Sequence, residues 1–118
     1  MNREIKFRAW NGEKMTYWGF IENAFVSPPN TNNMNMFEMP QMQFTGLKDK
    51  NEKEIYEGDI LRTEYNDGLP AVVEYHAKNS ERHPINGWVG NVKDDWIIIY
   101  PEKMEVIGNA MENPELLK

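Results

Sequence analysis

The sequence predicts a mainly β protein with little helix. Apolar residues recur at every second position through much of the chain, which is the repeat of a half-buried strand. Asn-Gly and Asp-Gly pairs, which favour tight hairpin turns, separate these segments, and no long stripe with helical spacing occurs. Aromatic residues make up 12% of the 118 residues, so the chain has the large side chains that a core requires. At this length we expect a single domain over residues 1–118.

The first predicted element is a β-hairpin. Residues 5–9 alternate apolar and basic side chains, Asn11-Gly12 is a strong turn signal, and residues 15–21 form a second strand-like run. The alternation predicts that Ile5 and Phe7 face a core while the basic residues Lys6 and Arg8 are solvated. The hairpin and the residues up to 26 form an N-terminal hairpin part, residues 1–26, which is one candidate subdomain.

Residues 27–40 are expected to form a long loop, because they contain Pro28-Pro29 and many Asn residues. Flexible apolar side chains lie in and just after this loop: Met34, Met36, Phe37, Met39 and Met42. Adaptable binding surfaces often use methionine, so one interpretation is a contact site for a protein partner. The other interpretation is a lid that folds back over the end of a barrel.

A second candidate subdomain, residues 41–109, is predicted to be a β meander or small barrel. Strand-like runs occur at residues 41–47, 54–65, 71–75, 88–92, 96–100 and 104–107. The run at 96–100 is apolar at every position, so Trp96, Ile98 and Tyr100 are expected either in the core or in an assembly contact. Asn113-Pro114-Glu115 is a helix start signal, with room for about one turn after it.

Three segments carry a family resemblance. They are REIKFRAW at residues 3–10, QFTGLKDKN with KEIYEGDI at 43–51 and 53–60, and VIGN with ENPELL at 106–109 and 112–117. In these segments the chain resembles the YopX family of phage and prophage proteins. Glu52 stands where a small turn residue such as Gly is expected. The resemblance implies a mainly β fold, a phage or prophage setting in a bacterium and homo-oligomer assembly, but no known activity and no functional residues.

The chemical inventory gives little support for an enzyme. The chain has no cysteine, which excludes disulfides, thiolate metal sites and thiol nucleophiles. His76 and His83 are the only histidines, and a zinc site would need two further ligands. The glycines are too dispersed to cradle a phosphate group. We therefore predict a non-enzymatic protein without cofactor or metal.

The charge balance argues against general binding to nucleic acid or anionic membranes. Thirteen basic and nineteen acidic residues give a net charge of −6. No apolar run approaches the ~20 residues of a membrane span, and the first ten residues do not resemble a signal peptide, so we expect a cytoplasmic protein. The expected function is accessory, through a protein partner or self-assembly. The alternative is a nucleic-acid-binding module in which Lys6, Arg8 and Trp10 form a basic and aromatic surface.

Overall fold

Strand pairing builds two antiparallel sheets. The computed structural model describes residues 5–21, 24–27, 39–64, 68–75, 87–93 and 95–117. The strands in this part of the chain are β1 Lys6–Trp10, β2 Met15–Ile21, β3 Ala24–Val26, β4 Gln41–Lys48, β5 Glu54–Tyr56, β6 Asp59–Arg62, β7 Ala71–Tyr75, β8 Trp88–Val92, β9 Asp95–Ile98 and β10 Glu105–Asn109. The first sheet has the order β3-β2-β1-β4-β5 and the second the order β10-β6-β7-β8-β9. The prediction of a mainly β protein is confirmed, since the described helical segments are the short 3₁₀ turns Pro101–Lys103 and Pro114–Leu117.

The N-terminal hairpin forms as predicted. β1 and β2 pair antiparallel, with Phe7 opposite Trp18 and Trp10 opposite Met15. The side chain of Asn11 stabilises the turn, because its Oδ1 accepts hydrogen bonds from the backbone N–H groups of Glu13 and Lys14 at 2.8 and 2.9 Å. Local turn chemistry is therefore sufficient to define this hairpin.

The two sheets divide within the segment that the sequence assigned to one C-terminal meander. β4 pairs with β1 and β5, so both β4 and β5 belong to the sheet of the N-terminal hairpin. The chain passes between sheets at two neighbouring residues: the Glu57 N–H donates to Gln43 O of β4, and the Gly58 N–H donates to Val73 O of β7. Gly58 has a φ of +86°, which favours glycine at this sharp change of direction. The two sheets therefore meet at Glu57 and Gly58, whereas the division into subdomains 1–26 and 41–109 stays a prediction.

One core cluster joins the sheets. It is made of Ile55, Leu61, Val73, Ile99, Met104 and Val106. Ile55 comes from the first sheet, and Leu61 and Val73 come from the second. The side chains of the apolar run at 96–100 point to two sides. Ile97 and Ile99 contribute to this core, whereas Trp96 and Ile98 are half-buried outside it and Tyr100 is exposed. The assembly role considered for Trp96, Ile98 and Tyr100 stays a prediction.

The β4–β5 turn is fastened to the second sheet through Asp49. Its buried carboxylate accepts hydrogen bonds from the N–H groups of Asn51 and Lys53 in its own turn, at 2.8 and 2.9 Å, and from Val106 of β10 at 2.9 Å. Burial works to raise the pKa of Asp49, but these three N–H groups outweigh it and hold the pKa below its ordinary value of 3.8. The ionised carboxylate thus ties the two sheets together.

We expect Asp49→Asn to lower the free energy of unfolding by about 1–3 kcal/mol near neutral pH, because an amide offers one acceptor oxygen instead of two. A carboxyl group with a lowered pKa stabilises the fold above its unfolded-state pKa, and this contribution is lost as the pH falls below 3.8. Urea unfolding at pH 7 and pH 3 should therefore show a smaller difference between the two proteins at pH 3. The exposed Glu102→Gln is the control, and a difference independent of pH would contradict this account.

The same turn contains a strained residue. Glu52 has a φ of +66°, in the left-handed region that favours glycine, so the expectation of a small turn residue at this position has a structural reason. We expect Glu52→Gly to raise the free energy of unfolding by up to about 1 kcal/mol, since the greater freedom of glycine in the unfolded chain offsets part of the relief. Glu102→Gly, at an exposed residue outside the left-handed region, should instead be destabilising. Equal losses in both variants, measured by urea unfolding, would show that Glu52 is not strained.

Candidate functional site

The alternation in β1 is inverted relative to the sequence prediction. Lys6 and Arg8 are only 6% and 4% exposed, whereas Ile5 at the start of the strand is 49% exposed. The prediction that the basic residues form a solvated face is therefore wrong. A nucleic-acid groove would also need these groups at the surface, and Trp10 is itself only half-exposed. The alternative function through Lys6, Arg8 and Trp10 thus loses its structural basis.

The basic side chains face inward because acidic partners meet them there. Arg8 Nη2 donates to Asp59 Oδ1 at 2.7 Å and to the carbonyl oxygen of Glu57 at 3.2 Å. The Lys6 ammonium forms an ion pair with Glu54. The second oxygen of Asp59 accepts the Tyr56 N–H at 2.7 Å, so that both carboxylate oxygens have donors. A buried charge is tolerated only with such partners.

Aromatic rings complete the surroundings of both cations. The Arg8 guanidinium carbon lies 4.8 Å from the centroid of the Tyr56 ring, and Lys6 Nζ lies 4.6 Å from that of Phe44. Such contacts are favourable because the ring face is electronegative. Tyr56 also contacts Tyr17 edge-on at 5.5 Å and Phe44 at 5.3 Å. Burial and the neighbouring Glu54 raise the pKa of the Tyr56 hydroxyl well above its usual range, so it stays protonated.

A cleft of about 450 Å³ opens beside this ion-pair cluster. Both sheets and the C-terminal turn line it, through residues that include Arg8, Tyr17, Tyr56, Asp59, Asn109 and Glu112. Burial raises the pKa of Asp59, while the Arg8 charge and the Tyr56 N–H favour its ionised form. Arg8 Nε is buried without a hydrogen-bond acceptor in the described part of the chain. Because Arg8 is paired with Asp59 and Glu54 with Lys6, these groups form a structural network beside the cleft.

The C-terminal turn closes one side of the cleft. Asn109 Oδ1 accepts the N–H groups of Met111 and Glu112 at 3.0 and 2.8 Å, and Asn113 Oδ1 accepts the Asn109 N–H at 3.2 Å. A Cβ atom at Gly108 would lie 2.5 Å from Asn113 Oδ1, so this close approach requires glycine. These hydrogen bonds explain why both the VIGN and the ENPELL segments contain an Asn residue, since each side-chain amide oxygen accepts backbone N–H groups of the turn. The one-turn helix expected after Asn113 is present as the 3₁₀ turn Pro114–Leu117.

The opposite side of the first sheet carries an exposed aromatic face, formed by Ile5, Phe7, Trp18, Phe20 and Phe25. Phe7 stacks on Trp18 with ring centroids 4.5 Å apart, and Phe20 meets Phe25 edge-on at 5.4 Å. Phe20 and Phe25 are 55% and 58% exposed. The Phe20 N–H donates to Ile5 O, and Phe20 lies opposite Phe25 in the β2–β3 pairing. Ile5, Phe20 and Phe25 therefore form one row across the sheet, although the alternation in the sequence predicts Ile5 in the core.

The methionine group is only partly within the described residues. Met34, Met36 and Phe37 lie outside them, so a contact role for these three stays a prediction. Met39 and Met42 are buried, and the Met42 sulfur packs close to Gly58. Neither is an exposed contact residue. Both side chains therefore belong to the protein's own packing. Met42 lies opposite Arg8 in the β1–β4 pairing, and its side chain points into the interior beside Arg8.

Comparison with known proteins decides the family. The family model described as YopX protein matches residues 21–118. The chain belongs to the YopX family. The match includes the middle and closing segments recognised in the sequence, whereas the REIKFRAW segment precedes it. The crystal structure of protein EF1440 from Enterococcus faecalis is 28% identical, covers 99% of this chain and 100% of its own, and superposes with a TM-score of 0.49. No curated protein matches the chain.

In this YopX-family chain the middle segment has an architectural role. Asp49 ties the β4–β5 turn to β10, Tyr56 packs against Arg8, and Asp59 neutralises it. No group of three potential metal-binding side chains occurs among the residues that the structure describes. In the same described ranges, no helix has the length and apolar character needed to span a membrane.

A double-mutant cycle tests the buried ion pair. We expect Arg8→Met and Asp59→Asn each to lower the free energy of unfolding by about 3–5 kcal/mol, because each leaves its partner as an unpaired buried group. The double variant should cost clearly less than the two single losses together, since neither charge then remains. Urea unfolding measures all four proteins. Should a single variant fail to fold, recovery of folding in the double variant is the expected result, and additive losses would show that the pair is not coupled.

Proposed function

We propose that this YopX-family protein is a non-enzymatic accessory protein of a phage or prophage, which works in the bacterial cytoplasm as a homo-oligomer and through protein contacts. The phage setting is what the family resemblance implies. The observation that carries the mode of action is the exposed row of Ile5, Phe20 and Phe25 on the aromatic face.

The aromatic face has the character of a protein contact surface. Contiguous apolar patches are uncommon on monomeric soluble proteins, whereas aromatic residues are enriched at the centres of interfaces. Removing apolar surface from water is favourable by about 25 cal/mol per Å². The half-buried Phe7–Trp18 stack lies beside the row on the same face of the sheet, and it packs across the β1–β2 pair. A partner that covers the row therefore gains free energy without rearranging the sheet.

The paired charges support a role without catalysis or nucleic-acid binding. Arg8 is engaged with Asp59, and Lys6 with Glu54, so these groups would have to break buried ion pairs to act on a substrate. The net charge of −6 disfavours attraction to phosphate groups, and two basic residues of the first strand are buried. Both observations favour a binding protein that uses apolar contacts.

Light scattering tests this function directly. At micromolar concentration we expect a mass that is a multiple of the 13.9 kDa chain. Phe20→Ser should reduce the mass towards one chain, because it interrupts the exposed row, while the far-ultraviolet circular dichroism stays unchanged. Tyr75→Ser is the matched control, since Tyr75 is a similarly exposed aromatic residue at the end of β7 in the other sheet and likewise meets one aromatic ring edge-on, that of Trp88. A clean single-chain mass for the unmodified protein would refute self-assembly.

A further inference from the structure

The outer strand β3 has the properties of a contact edge. It lies at one end of the first sheet in the described part of the chain, and all three of its residues, Ala24–Val26, are exposed. An outer strand carries backbone N–H and C=O groups that point away from its sheet and can pair with another strand. We propose that a second copy of this chain pairs with this edge, β3 against β3 in antiparallel orientation. This inference rests on the proposed function and names the surface that performs it.

Charge distinguishes β3 from the other outer strands. β5 carries Glu54, β9 begins with Asp95, and β10 begins with Glu105, whereas β3 contains only Ala, Phe and Val. Proteins commonly protect sheet edges from pairing by placing charged side chains on them. Two chains that each carry a net charge of −6 also repel one another, so close approach is least opposed where the contacting strand is uncharged. Of the described edges, β3 fits a second acidic copy best.

The residues of β3 are also complementary to themselves. A two-fold axis through Phe25 places Phe25 opposite its equivalent and Ala24 opposite Val26 of the second copy, so that a small residue meets a larger one. The Ile5, Phe20 and Phe25 row would then continue across the axis into the equivalent row of the other chain. Three residues of strand pairing are a small contact, to which the continued row of exposed Ile5, Phe20 and Phe25 side chains adds apolar area.

Cysteine pairs test this register, because the chain contains no cysteine of its own. In the proposed pairing Ala24 lies directly opposite Val26 of the second copy, at a separation that a disulfide can bridge. The two Ala24 residues, and likewise the two Val26 residues, are offset along the strands and lie too far apart. We therefore expect a mixture of Ala24→Cys and Val26→Cys proteins, oxidised with glutathione disulfide, to shift from 13.9 kDa to twice that mass on a non-reducing gel. Either variant alone should remain mainly at the single-chain mass.

A charge substitution tests the same edge without cross-linking. Phe25→Glu should convert the assembly to single chains in light scattering, because two carboxylates would face each other across the axis. Tyr75→Glu, at an exposed aromatic residue of β7 in the other sheet, should leave the mass unchanged. If the unmodified protein assembles but the cysteine mixture does not cross-link and Phe25→Glu keeps its mass, the β3 contact is wrong while the proposed function stands. A single-chain mass for the unmodified protein overturns both.

Discussion

The ion pair between Arg8 and Asp59 determines how the two sheets meet. Removing a guanidinium group from water is costly, so its position requires a carboxylate at hydrogen-bond distance. Asp59 provides one at 2.7 Å and is held in place by the Tyr56 N–H. Because Arg8 belongs to the first sheet and Asp59 begins the first strand of the second, this contact fixes the crossing from one sheet to the other.

The same pair explains why Phe7, Trp18 and Phe20 lie on the outer face of the first sheet. Side chains alternate strictly along a strand, so directing Arg8 and Lys6 inward directs Ile5 and Phe7 outward. Cross-strand pairing then orients β2, which sets Trp18 beside Phe7 and Phe20 beside Ile5. The inner face of the first sheet thus combines the two ion pairs with the buried side chains of Met42, Phe44 and Tyr56, while its outer face carries the exposed apolar groups. The aromatic face and the ion-pair cluster therefore lie on the two sides of the same strands.

Local signals in the sequence were enough to predict most of the strands and turns, although not the short outer strand β3. Asn11-Gly12 defines the first hairpin, and the run at residues 71–75 forms β7 as predicted. The orientation of β1 could not be predicted in this way, because the partner that draws Arg8 inward lies 51 residues along the chain. For the same reason the sequence did not separate β4 and β5 from the second sheet, since their assignment depends on pairing with β1. The cleft likewise depends on contacts between distant segments, whereas the strain at Glu52 was visible as an unexpected residue type in a turn.

The division of the sheets at Glu57 and Gly58 has a consequence for synthesis on the ribosome. All strands of the first sheet precede this point and all strands of the second come after it, so the hydrogen-bonding partners of the first sheet emerge before any strand of the second. Its interior nevertheless contains Arg8, whose carboxylate partner is the first residue of β6. In the nascent first half the Arg8 guanidinium therefore stays hydrated, because its carboxylate partner has not yet emerged. Burial of Arg8 requires Asp59, so the interior of the first sheet is completed only together with the start of β6.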